Sequence, residues 1–315
     1  MKFLYFLPFI ILAIVLLYFL ICLYVFKRAF ARKKDIDWND KEALKKTFYK
    51  DFLDVIDNAR VWLAKNNPEY FTFTTFDGLE LEAFFVKCEN ARGTVVLAHG
   101  YQGSAISDFG MVFNTYKEKG LNILAYRQRS HGNSQGKYVT FGALEHKDLI
   151  SLIEYHNKNF GDFPVVLSGI SMGASTVLYA ISSPDLPPNV KGASADCGFT
   201  SGYEIVKKVI KDILHFDGGF LMPGTNFWCK VLAKFDAKKY STETLLKNAK
   251  VPVVFIHGEA DDFVPCEMTI KSYNACASEK QLVLVKDAGH GTSYVKDPNL
   301  IENTLNEFFD KVLKE

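Results

Sequence analysis

Cysteine is sparse in this sequence, and none of it is paired in a motif. Six cysteines (Cys22, Cys88, Cys197, Cys229, Cys266 and Cys276) are spread over 315 residues without a single C-x-x-C. That spacing speaks against a zinc site and is too thin for a disulfide framework, so the six read as small buried hydrophobes. Net charge is nearly absent as well: 37 Lys and Arg oppose 36 Asp and Glu, leaving +1. Bulk attraction to nucleic acid or to acidic substrates therefore has no source. There is no long charge run, low-complexity tract or internal repeat, which argues against a solenoid or a disordered tail. What remains, 48% hydrophobic and 23% charged, is the ordinary composition of a globular chain.

One hydrophobic run departs from this balance. From Phe3 to Phe26, "FLYFLPFIILAIVLLYFLICLYVF", no residue is charged. At about 1.5 Å per residue, a helix of this length crosses a hydrocarbon core of about 30 Å. The apolar region of a secretory signal is shorter, about 7–15 residues. Ala29-Phe30-Ala31 has the small residues of a cleavage site, but Lys27 and Arg28 lie between it and the run. Cys22 lacks the small preceding residue of a lipoprotein signal. Residues 1–34 therefore read as an uncleaved single-pass membrane anchor with a basic flank. Lys27, Arg28, Arg32, Lys33 and Lys34 follow the run, against Lys2 and the amino terminus before it. The positive-inside rule then places the rest of the chain in the cytoplasm.

Residues 35–68 read as a helical linker packing on the domain, with Leu44, Phe52, Ile56 and Trp62 at helical spacing until Asn66-Asn67-Pro68 ends it. Residues 69–315 read as one α/β domain. Tyr70–Phe76 and Leu79–Val86 flank Asp77-Gly78, which predicts a two-residue hairpin. Strands and helices then alternate. Strands are expected at Thr94–His99, Asn122–Tyr126, Val165–Gly169, Val190–Asp196, Val251–Gly258 and Gln281–Lys286. Helices are expected at Asp108–Lys119, Gly142–Asn159, from Met172, and at Leu300–Leu313. Fully apolar strands in this rhythm predict a mostly parallel sheet covered on both faces, with functional residues at strand carboxyl ends. The rhythm breaks at about 199–250, where two short helices around a Gly/Pro turn suggest a small cap.

"GISMG" (Gly169–Gly173) is a G-x-S-x-G motif placed after a strand and before a helix, which is the setting of a nucleophile elbow at Ser171. A serine hydroxyl needs a histidine base, and that base needs an orienting carboxylate. "HGEADDFVP" presents Asp261 and Asp262 after one strand, and "DAGHG" presents His290 after the next. The expected set is Ser171, Asp261 and His290. Asp261 is preferred because Asp262 is placed to cap the following helix. The backbone amides of Tyr101, in the loop after "VVLAHG", and of Met172 are the expected oxyanion donors. His99 and His131 read as loop-ordering residues, and His146, His156, His215 and His257 show no supporting constellation.

With these residues in view, the chain resembles the α/β-hydrolase superfamily of serine hydrolases, particularly its bacterial, membrane-anchored, single-domain members. The resemblance runs from about Tyr70 to the carboxyl terminus through "HGYQGS", "RQRSHGNSQGKYVTFG", "GISMGAS", "ADCGFTS", "HGEADDFVP" and "DAGHG". It implies the α/β-hydrolase fold, the same three residues, no metal and no diffusible cofactor. One departure stands out: Arg127 occupies a position where such proteins usually carry Asp. The expected activity is cleavage of carboxylic esters through an acyl-enzyme, on a small-molecule or lipid-like substrate and not on nucleic acid. Phe216, Phe220, Leu221, Met222, Phe227 and Trp228 in the cap suggest an apolar acyl or aryl pocket. A thioesterase or serine peptidase using the same residues is the alternative, and a non-catalytic membrane-tethered binding protein is a third reading.

Overall fold

The computed structural model describes residues 5–314. Lys2, the first two residues of the apolar run (Phe3 and Leu4) and the terminal Glu315 lie outside the described residues. Eight strands form one sheet: β1 Glu69–Thr74, β2 Glu80–Val86, β3 Gly93–Ala98, β4 Leu121–Tyr126, β5 Val165–Ile170, β6 Val190–Asp196, β7 Val253–Gly258 and β8 Lys280–Val285. Their order is β1-β2-β4-β3-β5-β6-β7-β8. The β1/β2 and β2/β4 pairs are antiparallel, and all other pairs are parallel. The apolar strands β3, β4 and β7 are buried along their whole length, as a sheet with helices on both faces requires. Two apolar clusters occupy the two faces. One packs Leu149, Leu152, Val177 and Leu178 against the sheet, and the other packs Phe109, Phe113, Phe308 and Phe309.

Local differences from the expected elements have local causes. The β1–β2 hairpin closes on a bond from Thr75 N to Leu79 O, so its loop is the three residues Phe76–Gly78, with Gly78 at φ +84°. The Asp77-Gly78 pair alone predicted two. The helix expected over Asp108–Lys119 is split into Ala105–Phe109 and Phe113–Glu118. The break is at Gly110, where a Cβ would fall 2.4 Å from Ala59 Cβ of the linker helix Leu53–Lys65. Close approach of the linker thus shapes this face of the domain. The helix expected from Gly142 starts at Glu145, because the Glu145 carboxylate turns back to accept from Thr140 N and Gly142 N.

The apolar helix spans Leu7–Phe30, and its final turns do not stand apart from the domain. Cys22, Phe26 and Phe30 are fully buried in a cluster with Phe141, Met172, Met222 and Cys229. Burying Phe26 and Phe30 contributes about 1.5–3 kcal/mol each. Beyond the helix, Val139 N donates to Phe30 O and Arg32 N to Lys137 O, which stitches the chain to the loop after β4. The cap is built from helices Gly202–Leu214 and Met222–Leu232, with Asp217-Gly218-Gly219 between them.

Candidate active site

Ser171 stands between β5 and the helix Met172–Ile181 at φ 56°, ψ −114°. For a residue with a side chain this backbone costs about 1–3 kcal/mol and persists only where its surroundings impose it. Here the surroundings are tight. Ser171 N donates to Asp196 O at 2.8 Å. A Cβ on Gly173 would fall 1.8 Å from Ala98 O, and one on Gly169 would fall 2.2 Å from Gly173 O. Strand and helix therefore meet only because both glycines lack side chains. The hydroxyl is left facing outward, over the carboxyl ends of the strands.

His290 joins Ser171 to Asp261. Its Nε2 lies 2.9 Å from Ser171 Oγ, and its Nδ1 lies 2.7 Å from Asp261 Oδ2. A carboxylate can only accept, so the proton sits on Nδ1 and Nε2 is left to accept from the serine. Asp261 Oδ1 accepts from Phe263 N at 3.0 Å and from Val264 N at 2.8 Å. Burial would raise this carboxyl's pKa. Hydrogen bonds from His257, from His290 and from the Val264 amide outweigh it and hold the group well below the usual carboxylate range. Asp262, expected to cap the next helix, does not: the helix Cys266–Ala275 has Pro265 at its N-cap and no side-chain cap. The turn bonds belong to Asp261 itself, while Asp262 borders the cavity in front of Ser171.

His257 is the residue that sequence reasoning missed. Its Nε2 lies 3.1 Å from Asp261 Oδ2 and 2.9 Å from Val264 O, and its Nδ1 lies 2.7 Å from Thr269 Oγ1. Both partners of Nε2 are acceptors, so that nitrogen carries a proton and donates toward Asp261. The signal was its place at the end of β7, four residues before Asp261. Cys197 also lies close, with its sulfur, Asp261 and His290 offering atoms within 4.8 Å of one another. Burial pushes its thiol pKa well up, and Asp261 and His290 are hydrogen-bonded to each other.

On the opposite side of Ser171, the loop after β3 is held by a set of hydrogen bonds. Gly100 N donates to Asp108 Oδ2 at 2.7 Å, Gln102 N to His131 Nε2 at 3.0 Å and Gly103 N to Gly100 O at 3.1 Å. His99 is buried, with Nδ1 against Gly100 O and Nε2 accepting from Gln128 N. His99 and His131 thus order loops. Tyr101, between these anchored amides, lines the same cavity as Ser171. Met172 begins the elbow helix, where first-turn amides have no intrahelical partner. Arg127 donates to Gly103 O at 3.2 Å and lies over the Trp38 ring. Burial lowers its pKa, and Glu82, Asp35 and Asp108 counter that effect. A cation here holds the loop by its carbonyl, and it ties the loop to Trp38 of the linker.

The cavity beside Ser171 and His290 has a volume of about 730 Å³. Its apolar wall is Ile36, Phe52, Met111, Ile170 and Phe263, joined by Tyr49. This corrects the expectation of a cap-built pocket. Among the described residues, none of Phe216, Phe220, Leu221, Met222, Phe227 and Trp228 lines it. Leu221 and Met222 are buried against the apolar helix, Trp228 Nε1 donates to Phe19 O, and the other three face outward. Ile36, Tyr49 and Phe52 of the linker, with Met111, Ile170 and Phe263, supply the wall in their place.

Comparison with known proteins agrees with this architecture. Residues 89–197 match the family model described as serine aminopeptidase, S33. The uncharacterized protein YqkD of Bacillus subtilis is 26% identical over 246 residues, covering 77% of this chain and 79% of its own. The lysophosphatidylserine lipase ABHD12 of Xenopus tropicalis is 21% identical, covering 73% of this chain and 61% of its own. Among solved structures, the Pyrococcus furiosus esterase Pf2001 superposes with a TM-score of 0.63 at 22% identity, over 79% of this chain and 94% of that one. Motifs, sheet order and relatives converge on one architecture, and the chain has the α/β-hydrolase fold.

Proposed function

We propose that this chain is a membrane-anchored serine hydrolase that cleaves carboxylic esters with an apolar acyl or aryl group. The observation that carries the reading is the hydrogen-bonded row Asp261–His290–Ser171 opening onto a mostly apolar cavity. Ser171 Oγ attacks the ester carbonyl as its proton passes to His290 Nε2. Asp261 stabilises the imidazolium, and the amides of Tyr101 and Met172 hold the oxyanion. Collapse of the tetrahedral intermediate breaks the C–O bond, and His290 returns the proton to the leaving alcohol. Water then attacks the acyl-enzyme, giving up a proton to the same nitrogen. Release of the acid restores the serine hydroxyl.

The helix Leu7–Phe30 acts as an uncleaved single-pass anchor, with the domain on the cytoplasmic side by the basic flank. Ile36 and Phe52, which wall the cavity, follow the anchor in the chain, which suits an ester that partitions into the bilayer. A lipid-like substrate also suits the likeness to a lysophospholipid lipase. A peptidase reading draws on the family description. A panel of p-nitrophenyl esters of increasing acyl length, acyl-CoA thioesters and aminoacyl amides separates the readings. Ester cleavage that rises with acyl length is expected. Faster turnover of amides or thioesters would replace the esterase assignment.

A further inference from the structure

The apolar helix is too short, where it stands clear of the domain, to cross a membrane. Tyr5 to Leu17 are exposed, and from Tyr18 onward one face lies on the cap. This clear part reaches only about 20 Å, against a hydrocarbon core of about 30 Å. A bilayer that takes up the whole uncharged run therefore extends to the level of Cys22–Phe26, where the helix is already docked. At that depth the cap is in the membrane too.

The cap surface suits this position. Among the described residues beyond the apolar helix, seven of the thirteen exposed large hydrophobic ones fall between Ile213 and Leu232. Ile213, Phe216, Phe220 and Phe227 are 70%, 54%, 58% and 45% exposed. This patch is continuous with the helix. The Phe19 and Phe227 rings meet edge to face at 5.2 Å, and Tyr18 OH donates to Phe220 O at 2.9 Å. Trp228 Nε1 donates to Phe19 O at 2.9 Å, which pairs a carbonyl of the helix with an indole at the cap surface. Gly224 lets the two helices touch, since a Cβ there would fall 2.5 Å from Cys22 Sγ. Exposed apolar patches of this kind are rare on soluble surfaces, and Tyr and Trp favour the membrane interface. The basic residues Lys27 and Arg28 follow Phe26 and are exposed, where anionic headgroups would meet them.

We infer that the outward face of the cap, centred on Phe216, Phe220 and Phe227, is a second membrane-docking surface, immersed in the lipid beside the anchor. The inference rests on the anchor reading above and is independent of the catalytic one. The face and the helix together fix the tilt of the domain on the bilayer.

The test is photolabelling of the full chain in bilayers of phosphatidylcholine that carries a diazirine on its acyl chain, with adducts mapped by mass spectrometry. Adducts are expected in the helix and in the peptide containing Phe216, Phe220 and Phe227. Their yield should exceed that at exposed Val61, Val295 and Leu300 by about tenfold. The double variant Phe220→Asp and Phe227→Asp, checked for folding by its thermal melt, should lose the cap adducts and keep those in the helix. Adducts confined to the helix would overturn the docking face and leave the anchor standing. Adducts in neither would overturn both.

Discussion

Ser171 is held at a backbone that its side chain disfavours, and the row behind it sets what each substitution should do. Ser171→Ala is expected to lower kcat by about 10⁴–10⁶ with little change in fold. His257 touches Asp261 and not the substrate cavity, so it is a positioning residue. Removing a hydrogen bond to a charged group costs about 1.5–3 kcal/mol, which corresponds to about 10–100-fold in rate. His257→Phe should therefore lower kcat by that factor with KM unmoved, and His257→Gln, which keeps a donor, should recover part of it. Steady-state kinetics on one ester would check both. The pH dependence follows from Asp261, whose folded pKa lies below its unfolded value of about 4. Its stabilisation is present above that value and lost as pH falls through the folded one. The Tm advantage of the chain over Asp261→Asn should be constant from about pH 6 to 8 and shrink below about pH 4. Ser171, Asp261 and His290 were legible because each follows an apolar strand, and strand ends converge. His257 was not, because its role depends on a turn that brings Asp261 back over it.

Elements were legible where one local signal decides them. Apolar runs marked the buried strands β3, β4, β5 and β7, since such a strand has no polar side to blur its pattern, and the Asp77-Gly78 turn marked β1 and β2 on either side of it. Helix starts were less legible, because they depend on long-range contacts. Gly110 breaks a helix under the linker, and Glu145 delays another by bonding backward. The strand–helix crossing at Gly173 is the tightest of these contacts. Gly173→Val should force the elbow helix off β3, with a cost above about 3 kcal/mol or failure to fold, read as loss of the cooperative thermal transition. The linker follows the same principle. Arg127 over Trp38 replaces an expected carboxylate, and its partner carbonyl, Gly103 O, lies in the loop that carries Tyr101. Arg127→Ala should loosen that loop and lower kcat more than it raises KM.

At the scale of the molecule, the sequence separated an anchor, a linker and a domain, and the structure joins them. The apolar helix ends inside the core shared with Met172, the linker contributes Ile36, Tyr49 and Phe52 to the cavity wall, and the cap turns its aromatics to the apolar helix and outward. Composition could not reveal this, since an apolar side chain reads the same whether it faces a pocket, a helix or lipid. The proposed cytoplasmic placement of the domain predicts that Val61→Cys reacts with an impermeant maleimide only after cells are opened. Labelling of intact cells would reverse the orientation. The central claim is that Ser171 is the nucleophile of an ester hydrolase, and it is tested most directly on the full chain in membranes. A fluorophosphonate probe followed by peptide mapping should place a single adduct on Ser171, and His290→Ala should abolish it. An adduct on another residue, or labelling that survives Ser171→Ala, would contradict the claim.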